Sequence, residues 1–262
     1  MPSTPQIPRR RTKSAVALAL TFSAGIVDIV AYITIYHLFV AHMTGSTVHL
    51  GNNFATGDWT EAAKAGSTLL AFFFGSIVGR AVIEAGLRLQ KRTVASITLL
   101  AEAMLVLFFI WISRYSLGVP HEASISTIMT CVLLSLLAAA MGLQTATLTR
   151  IGPLTIHTTF VTGMLNKLAQ AVSQWAFWLY DQHQRRVPLQ QILLDSARIP
   201  ALQNAELMFG IWSAYMIGSV AGTWMNSRWN TQALYVAVAI LLVSVVVDQF
   251  QPLSVEEEKE QA

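Results

Sequence analysis

Charge is what this chain has least of. Only 12% of its 262 residues are Asp, Glu, Lys or Arg, against roughly 25% in an ordinary soluble domain. The deficit is local: residues 123–149, 207–227 and 229–247 contain no charged side chain. Apolar runs that long exclude a soluble fold and fit helices crossing a bilayer, which need roughly 17–25 such residues. They do not alternate with period two, which excludes a transmembrane barrel. Cysteine is nearly absent. Cys131 alone cannot close an intramolecular disulfide, no metal-ligand spacing accompanies it, and it reads as a small packing residue. There is no Walker loop, dinucleotide fingerprint, Gly-x-Ser-x-Gly elbow or His-Glu-x-x-His. Catalytic residues, metals and cofactors are therefore not assigned and an enzyme is not expected, although intramembrane Asp, Glu and His leave it a small opening. The net charge of +3 carries no sign of nucleic-acid binding; its distribution is what matters.

What is present is hydrophobicity, 54% of residues with a mean hydropathy of +0.52. The runs place six spans at about 14–37, 62–84, 94–114, 125–149, 206–227 and 231–249. The apolar run after the basic start continues past Ser23-Ala24-Gly25, longer than a signal peptide's, so the first span is expected to be retained. Six spans with both termini inside put every basic residue except Lys64, Arg114 and Arg228 on the cytoplasmic side. The expected order is a basic tail (1–13), a three-span unit (14–114), an external linker (115–124), a second three-span unit (125–250) and an acidic tail (251–262). A seven-span alternative would let 158–180 cross. Within the insertion 181–205, Leu189, Ile192, Leu193 and Ala197 fall at helical spacing between Pro188 and Pro200, as in a surface amphipathic helix.

The two units share three ordered features. Ala24-Gly25-Ile26-Val27-Asp28 and Ala140-Met141-Gly142-Leu143-Gln144 come first, then the breaks Thr44-Gly45 and Thr162-Gly163, then Gly75-Ser76-x-x-Gly79 and Gly218-Ser219-x-x-Gly222. Gly45 lies 30 residues before Gly75 and Gly163 lies 55 before Gly218; the excess of 25 is the length of the insertion. Three spans per unit is odd, so the units would be inverted relative to each other, a common plan of secondary transporters. The expected architecture is an all-α membrane protein of two inverted repeats, each with a Thr-Gly helix break.

Glycine at such a break permits unusual backbone angles and threonine can cap the helix that follows. Two half-helix N-termini brought together at mid-membrane would bind a polar or anionic group. Thr44, Gly45, Ser46, Thr162, Gly163 and Gln144 are the candidate solute-binding residues; a kinked surface loop is the plainer alternative. Asp28 and Glu102 are intramembrane carboxylates, candidates for proton coupling or gating. Alternatively Asp28 locks two helices together, and Glu102 pairs with Arg80. Gln144 takes roughly Asp28's place in the second unit. His42, His49 and His157 lie near the breaks without metal spacing. Asn52, Asn53, Asn166 and Gln170 either line a polar cavity or join helices. Gly75/Gly79 and Gly218/Gly222 are small-xxx-small packing patterns.

Gly25-x-x-Asp28, Phe39-x-x-x-x-Thr44-Gly45, Leu50-Gly51, Met141-Gly142-Leu143-Gln144 and Thr162-Gly163, over about residues 20–249, resemble the YoaK-type family of bacterial integral membrane proteins, a domain of unknown function. The resemblance implies a multi-span inner-membrane protein without an established substrate. The family usually has Thr-Gly-Asn at the first break; Ser46 stands here in place of that Asn. The functional expectation is a secondary transporter or permease for a small polar or anionic solute, with the site between the units. A non-transporting scaffold or sensor is the alternative. The lipid bilayer and an unidentified solute are the expected partners, and a homo-oligomer is left open.

Overall fold

The computed structural model describes residues 6–35, 37–91, 93–116, 126–147, 150–151, 154–155, 158–159, 161–196 and 199–253. The helices are α1 (Gln6–Thr34), α2 (Met43–Thr56), α3 (Trp59–Arg88), α4 (Val94–Ser116), α5 (Thr127–Thr147), α6 (Val161–Gln184), α7 (Leu189–Ser196), α8 (Pro200–Trp229) and α9 (Leu234–Phe250). Two-residue strands β1 (Arg150–Ile151) and β2 (Leu154–Thr155) pair antiparallel between α5 and α6. Most of the acidic tail, most of the 115–124 linker and His157 lie outside the described residues. From Gln6 onward the basic N-terminal segment is helical and continuous with the first span.

Among the described residues, five helical stretches are long and apolar enough to cross a membrane: Arg11–Thr34, Trp59–Arg88, Val94–Tyr115, Thr127–Thr147 and Pro200–Phe250. The last has 51 residues, more than twice what one crossing needs. A 3₁₀ turn at Asn230–Ala233 breaks it into α8 and α9, with Asn230 at φ 48°. α6, which covers the segment of the seven-span alternative, is not among the five. Pro200 starts α8 rather than ending α7, because a proline's missing N–H costs nothing in a first helical turn.

Two helix pairs form the centre, each made from one helix of either half. α3 packs on α5, where a Cβ at Gly75 would run into the Ala139 carbonyl and one at Gly142 into the Phe72 carbonyl. α1 packs on α8 in the same manner: a Cβ at Gly218 would meet the Phe22 carbonyl and one at Gly25 the Tyr215 carbonyl. Gly79 lies against Leu143 and Ala146, and Gly222 against Ile26 and Ile29. Ser76 Oγ donates to the Gly142 carbonyl at 3.3 Å and Ser219 Oγ to the Gly25 carbonyl at 3.4 Å. In both pairs residue numbers rise together, so the paired helices run parallel. The two sequence halves are thus interleaved rather than standing side by side.

α4 and α9 run antiparallel, tied at one end by Ser113 Oγ on Thr231 Oγ1 (3.0 Å) and at the other by Asp248. Asp248 is fully buried and accepts from the Ser96 N–H (2.9 Å), the Ser96 hydroxyl (2.6 Å) and the Leu253 N–H (2.8 Å). It satisfies a first-turn donor of α4 from a different helix. Asp248→Ala should lower stability by about 1–3 kcal/mol per donor left unpaired, and Asp248→Asn by less. Denaturant titration in micelles checks this; equal stability of the alanine variant contradicts it.

The outer faces are apolar. Leu70, Phe73, Phe74, Ile77 and Val78 of α3 are all exposed, as on a surface whose solvent is lipid. Trp59, Trp111, Tyr115, Trp224 and Trp229 are exposed near one end of the helices, where amphipathic rings mark a membrane boundary. Arg228 lies 4.2 Å over the Trp224 ring there.

Candidate functional site

The first break is built by a carboxylate rather than by glycine. α1 ends at Thr34, and the chain turns back through His37, which has φ 56°. It returns alongside α1 until the N–H groups of Val40 and Ala41 reach Asp28 Oδ1, at 2.7 and 2.9 Å. Phe39 stacks on Tyr32 at 4.4 Å, and Ser46 Oγ donates to the Phe39 carbonyl at 3.4 Å. The other oxygen of Asp28 accepts from the Tyr215 hydroxyl of α8. Asp28 is buried, and one side chain joins α1, the returning loop and α8.

This corrects the expected chemistry of the break. Among the described glycines only Gly57 has positive φ; Gly45 and Gly163 are ordinary helical residues. α2 starts at Met43 and α6 at Val161, so each Thr-Gly pair lies inside the first turn. Thr44 is not the cap: His42 occupies that position, and its side chain makes no capping bond. A helix start without a side-chain cap leaves its first N–H groups available to other acceptors.

The two helix starts converge. One cavity of about 390 Å³ is lined by Ala41, His42, Met43 and Thr44 from the first break and Thr159, Val161 and Thr162 from the second, with Phe72, Thr145 and Tyr215 between them. Thr145 and Thr159 share a hydrogen bond of 2.6 Å. The residues at and just behind the lining are pairwise alike in spacing. Asp28 follows Gly25 by three residues and Thr145 follows Gly142 by three. Asp28 holds Ala41, three residues before Thr44; Thr145 holds Thr159, three before Thr162. Tyr215 precedes Gly218 by three and Phe72 precedes Gly75 by three. Tyr215, Phe72 and Thr145 line the cavity, and Asp28 stands buried behind Tyr215, whose hydroxyl donates to it.

Of the other sequence candidates, Gln144 does not line this cavity. Its amide donates to the Leu20 carbonyl at 2.6 Å, and its Oε1 has no partner. Counted from the glycines, Thr145 rather than Gln144 lies as far from Gly142 as Asp28 does from Gly25. Ser46 is buried behind the loop. Glu102 is buried in α4 with Oε2 unpartnered. The Arg80 pairing expected for Glu102 is not made: Arg80 bonds Glu84, one turn along α3, at 2.6 Å. Asn52, Asn53, Asn166 and Gln170 are not among the lining residues either. Tyr215 and Thr159 were missed from sequence. A tyrosine three residues before the Gly-Ser pair in a charge-free run was the available signal; Thr159 carried none.

A larger hollow of about 680 Å³ between α3 and α5 is lined by Phe74, Val78, Ile128, Cys131 and Val132 among others. Its walls are almost wholly apolar, suited to lipid chains. Among the described residues no group of three or more His, Cys, Asp or Glu side chains could hold a metal ion.

Comparison with known proteins agrees with a membrane assignment. The chain is 27% identical over 159 residues to the UPF0700 transmembrane protein YoaK of Bacillus subtilis (strain 168), covering 61% of this chain and 67% of that one. No solved structure matches it. The family described as "Protein of unknown function (DUF1275)" matches residues 16–247. With helices of bilayer length, apolar outer faces and that match over most of its length, this chain is a multi-pass membrane protein that belongs to the DUF1275 family.

Proposed function

We propose that the protein is a secondary transporter or permease for a small polar solute, bound between two inverted repeats of three spans each. The observation that carries the reading is the cavity on which both helix starts converge. About 390 Å³ is within the range of small-molecule sites. Its walls offer the hydroxyls of Thr44, Thr145, Thr159, Thr162 and Tyr215 beside Met43, Phe72 and Val161. No Lys or Arg is among them, so an anion would rest on His42 and the two helix starts alone. An uncharged solute with hydrogen-bonding groups and an apolar portion suits this lining better.

The interleaved glycine pairs and the matched positions of Asp28 with Thr145, and of Tyr215 with Phe72, support the repeat. Counting α8 and α9 as separate crossings gives six spans. Arg11, Lys13, Arg88, Lys91, Arg185 and Arg186 then lie toward the cytoplasm, while Lys64, Arg114 and Arg228 lie at the other face. In this reading the bilayer is the inner membrane with both termini inside. A scaffold or sensor would have a packed interior between the breaks, and the cavity is why transport is preferred. Asp28 would gate by holding or releasing the loop at Val40 and Ala41. Glu102 has no contact with the cavity to support a coupling role.

Counterflow in proteoliposomes tests the reading. At least one small polar solute should exchange, and Thr44→Trp, which fills the cavity, should lower exchange more than tenfold while the protein remains folded. Failure of every solute in a broad panel, or undiminished exchange in Thr44→Trp, would sink it.

A further inference from the structure

α2 and α6 leave the central cavity in opposite directions. α2 forms a hairpin with α3, Leu50 lying against Gly66 and Phe54 against Trp59, so its far end lies with the start of α3. α6 turns back through α7 to α8, with Trp175 Nε1 donating to Ser196 Oγ at 2.8 Å, so its far end lies with the start of α8. The starts of α3 and α8 are at opposite ends of the bundle. α3 runs parallel to α5, α5 antiparallel to α4 (Thr147 Oγ1 donates to Thr98 Oγ1 at 2.9 Å) and α4 antiparallel to α9.

Each of these helices carries an exposed polar stripe that begins at a cavity residue. On α6 it is Thr162, Asn166, Gln170 and Gln174, four residues apart each time and all exposed. On α2 it is Thr44, Asn52 and Thr56, on the same four-residue line and also exposed, with only Val48 apolar. Either stripe rises roughly 18 Å at about 1.5 Å per residue, a little more than half of a roughly 30 Å hydrocarbon layer. Threonine can bond its own backbone, as Thr56 Oγ1 does to the Asn52 carbonyl at 3.1 Å, and so tolerates lipid. Primary amides do not: an amide facing hydrocarbon without partners costs several kcal/mol by rough reckoning, of which Asn52 offsets a part through a long bond from its Nδ2 to Asn53 Oδ1 at 3.4 Å. α6 also has an exposed apolar edge at Leu165 and Val172, so it separates a lipid-facing side from a polar one. The stripes' origin at the cavity, equal rise and opposite directions fit water better than a protein partner.

We propose that the polar stripes of α2 and α6 are the walls of two water-filled routes that lead from the central cavity to opposite faces of the membrane. The inference rests on the cavity being a solute site and assigns the path by which solute reaches it.

Single cysteines in a Cys131→Ser background test it. Asn52→Cys and Thr56→Cys on α2, and Asn166→Cys, Gln170→Cys and Gln174→Cys on α6, are exposed to a charged, membrane-impermeant methanethiosulfonate. Right-side-out and inverted vesicles are compared, with Phe54→Cys, Leu165→Cys and Val172→Cys as controls. Stripe cysteines should react at least tenfold faster than the controls, the α2 set from one face and the α6 set from the other. Reaction no faster than the controls, or both sets labelled from the same face, overturns the proposal. So does oxidative cross-linking of stripe cysteines between two chains, which would make the stripes an interface with a second copy. The readout is water access, not flux. Labelling as expected without solute exchange leaves the routes standing and refutes transport; exchange without labelling does the reverse.

Discussion

Asp28→Ala is expected to release the first break and to cost about 2–6 kcal/mol, roughly 1–3 for each of two buried N–H groups left unpaired. The carboxylate holds the Val40 and Ala41 N–H groups on one oxygen and the Tyr215 hydroxyl on the other. Alanine removes all three acceptor contacts and leaves a void beside them. Tyr215 lines the cavity, so its hydroxyl can turn inward; the two N–H groups belong to the backbone and cannot turn to another acceptor without moving the loop. Asp28→Asn separates structure from charge. Its carbonyl oxygen can accept from both N–H groups, and its amide can donate to the Tyr215 oxygen, so most of the fold should survive. Hydrogen exchange at Val40 and Ala41 in micelles reports the difference: large acceleration in the alanine variant, little in the asparagine variant. A solute flux lost in Asp28→Asn with those amides still protected would assign the charge a role in gating. Unchanged exchange and stability in Asp28→Ala would show that the loop is held by something else.

The residues that were legible from sequence are those whose signal is local. Charge-free runs located the helices because bilayer depth demands length and apolarity from contiguous residues. The glycine spacing was legible because helix neighbours recur every three or four positions. Asp28 stood out because a carboxylate between Ile and Val residues is costly wherever it points. What pairs with each of these was not legible. Tyr215 meets Asp28 across 187 positions, and nothing near either residue encodes the other. The same applies to Asp248, which sits one residue past a charge-free run and caps a helix 152 positions away. Gln144 is the sequence's counterpart of Asp28 because it closes a similar five-residue run; it does not line the cavity, whereas Thr145, three residues after Gly142 as Asp28 is after Gly25, does. The Thr-Gly pairs do mark the helix starts, which lie one residue upstream at Met43 and Val161; what glycine does not supply is the turn. Glycine's freedom was invoked where the backbone is helical, while the actual turn is made upstream, at His37, and held from below by Asp28.

The second large effect concerns the glycines between helices. Gly25→Ala, Gly75→Ala, Gly142→Ala and Gly218→Ala each place a methyl group against a backbone carbonyl of the partner helix. A flexible side chain could move aside; a carbonyl within a helix cannot without shifting the helix. Overpacking costs typically about 1–3 kcal/mol, and contact with backbone should put these substitutions at the upper end. Gly51→Ala is the control, since nothing lies within 4 Å of a Cβ there; with helix propensity favouring alanine over glycine by about 1 kcal/mol, it should be neutral or stabilising. The pairing of helices makes a sharper test. Gly25 and Gly218 lie in the α1–α8 contact, so once the first methyl has pushed the two helices apart the second should cost less. Gly25 and Gly142 lie in different contacts, so their costs should add to within about 0.5 kcal/mol. Unfolding free energies of the four single variants and the double variants Gly25→Ala/Gly218→Ala, Gly75→Ala/Gly142→Ala and Gly25→Ala/Gly142→Ala decide the matter. Sub-additivity within each contact and additivity between them is the result that α1–α8 and α3–α5 require. Additivity throughout would mean that the four glycines do not share two interfaces, and with it the interleaving of the two halves would fall.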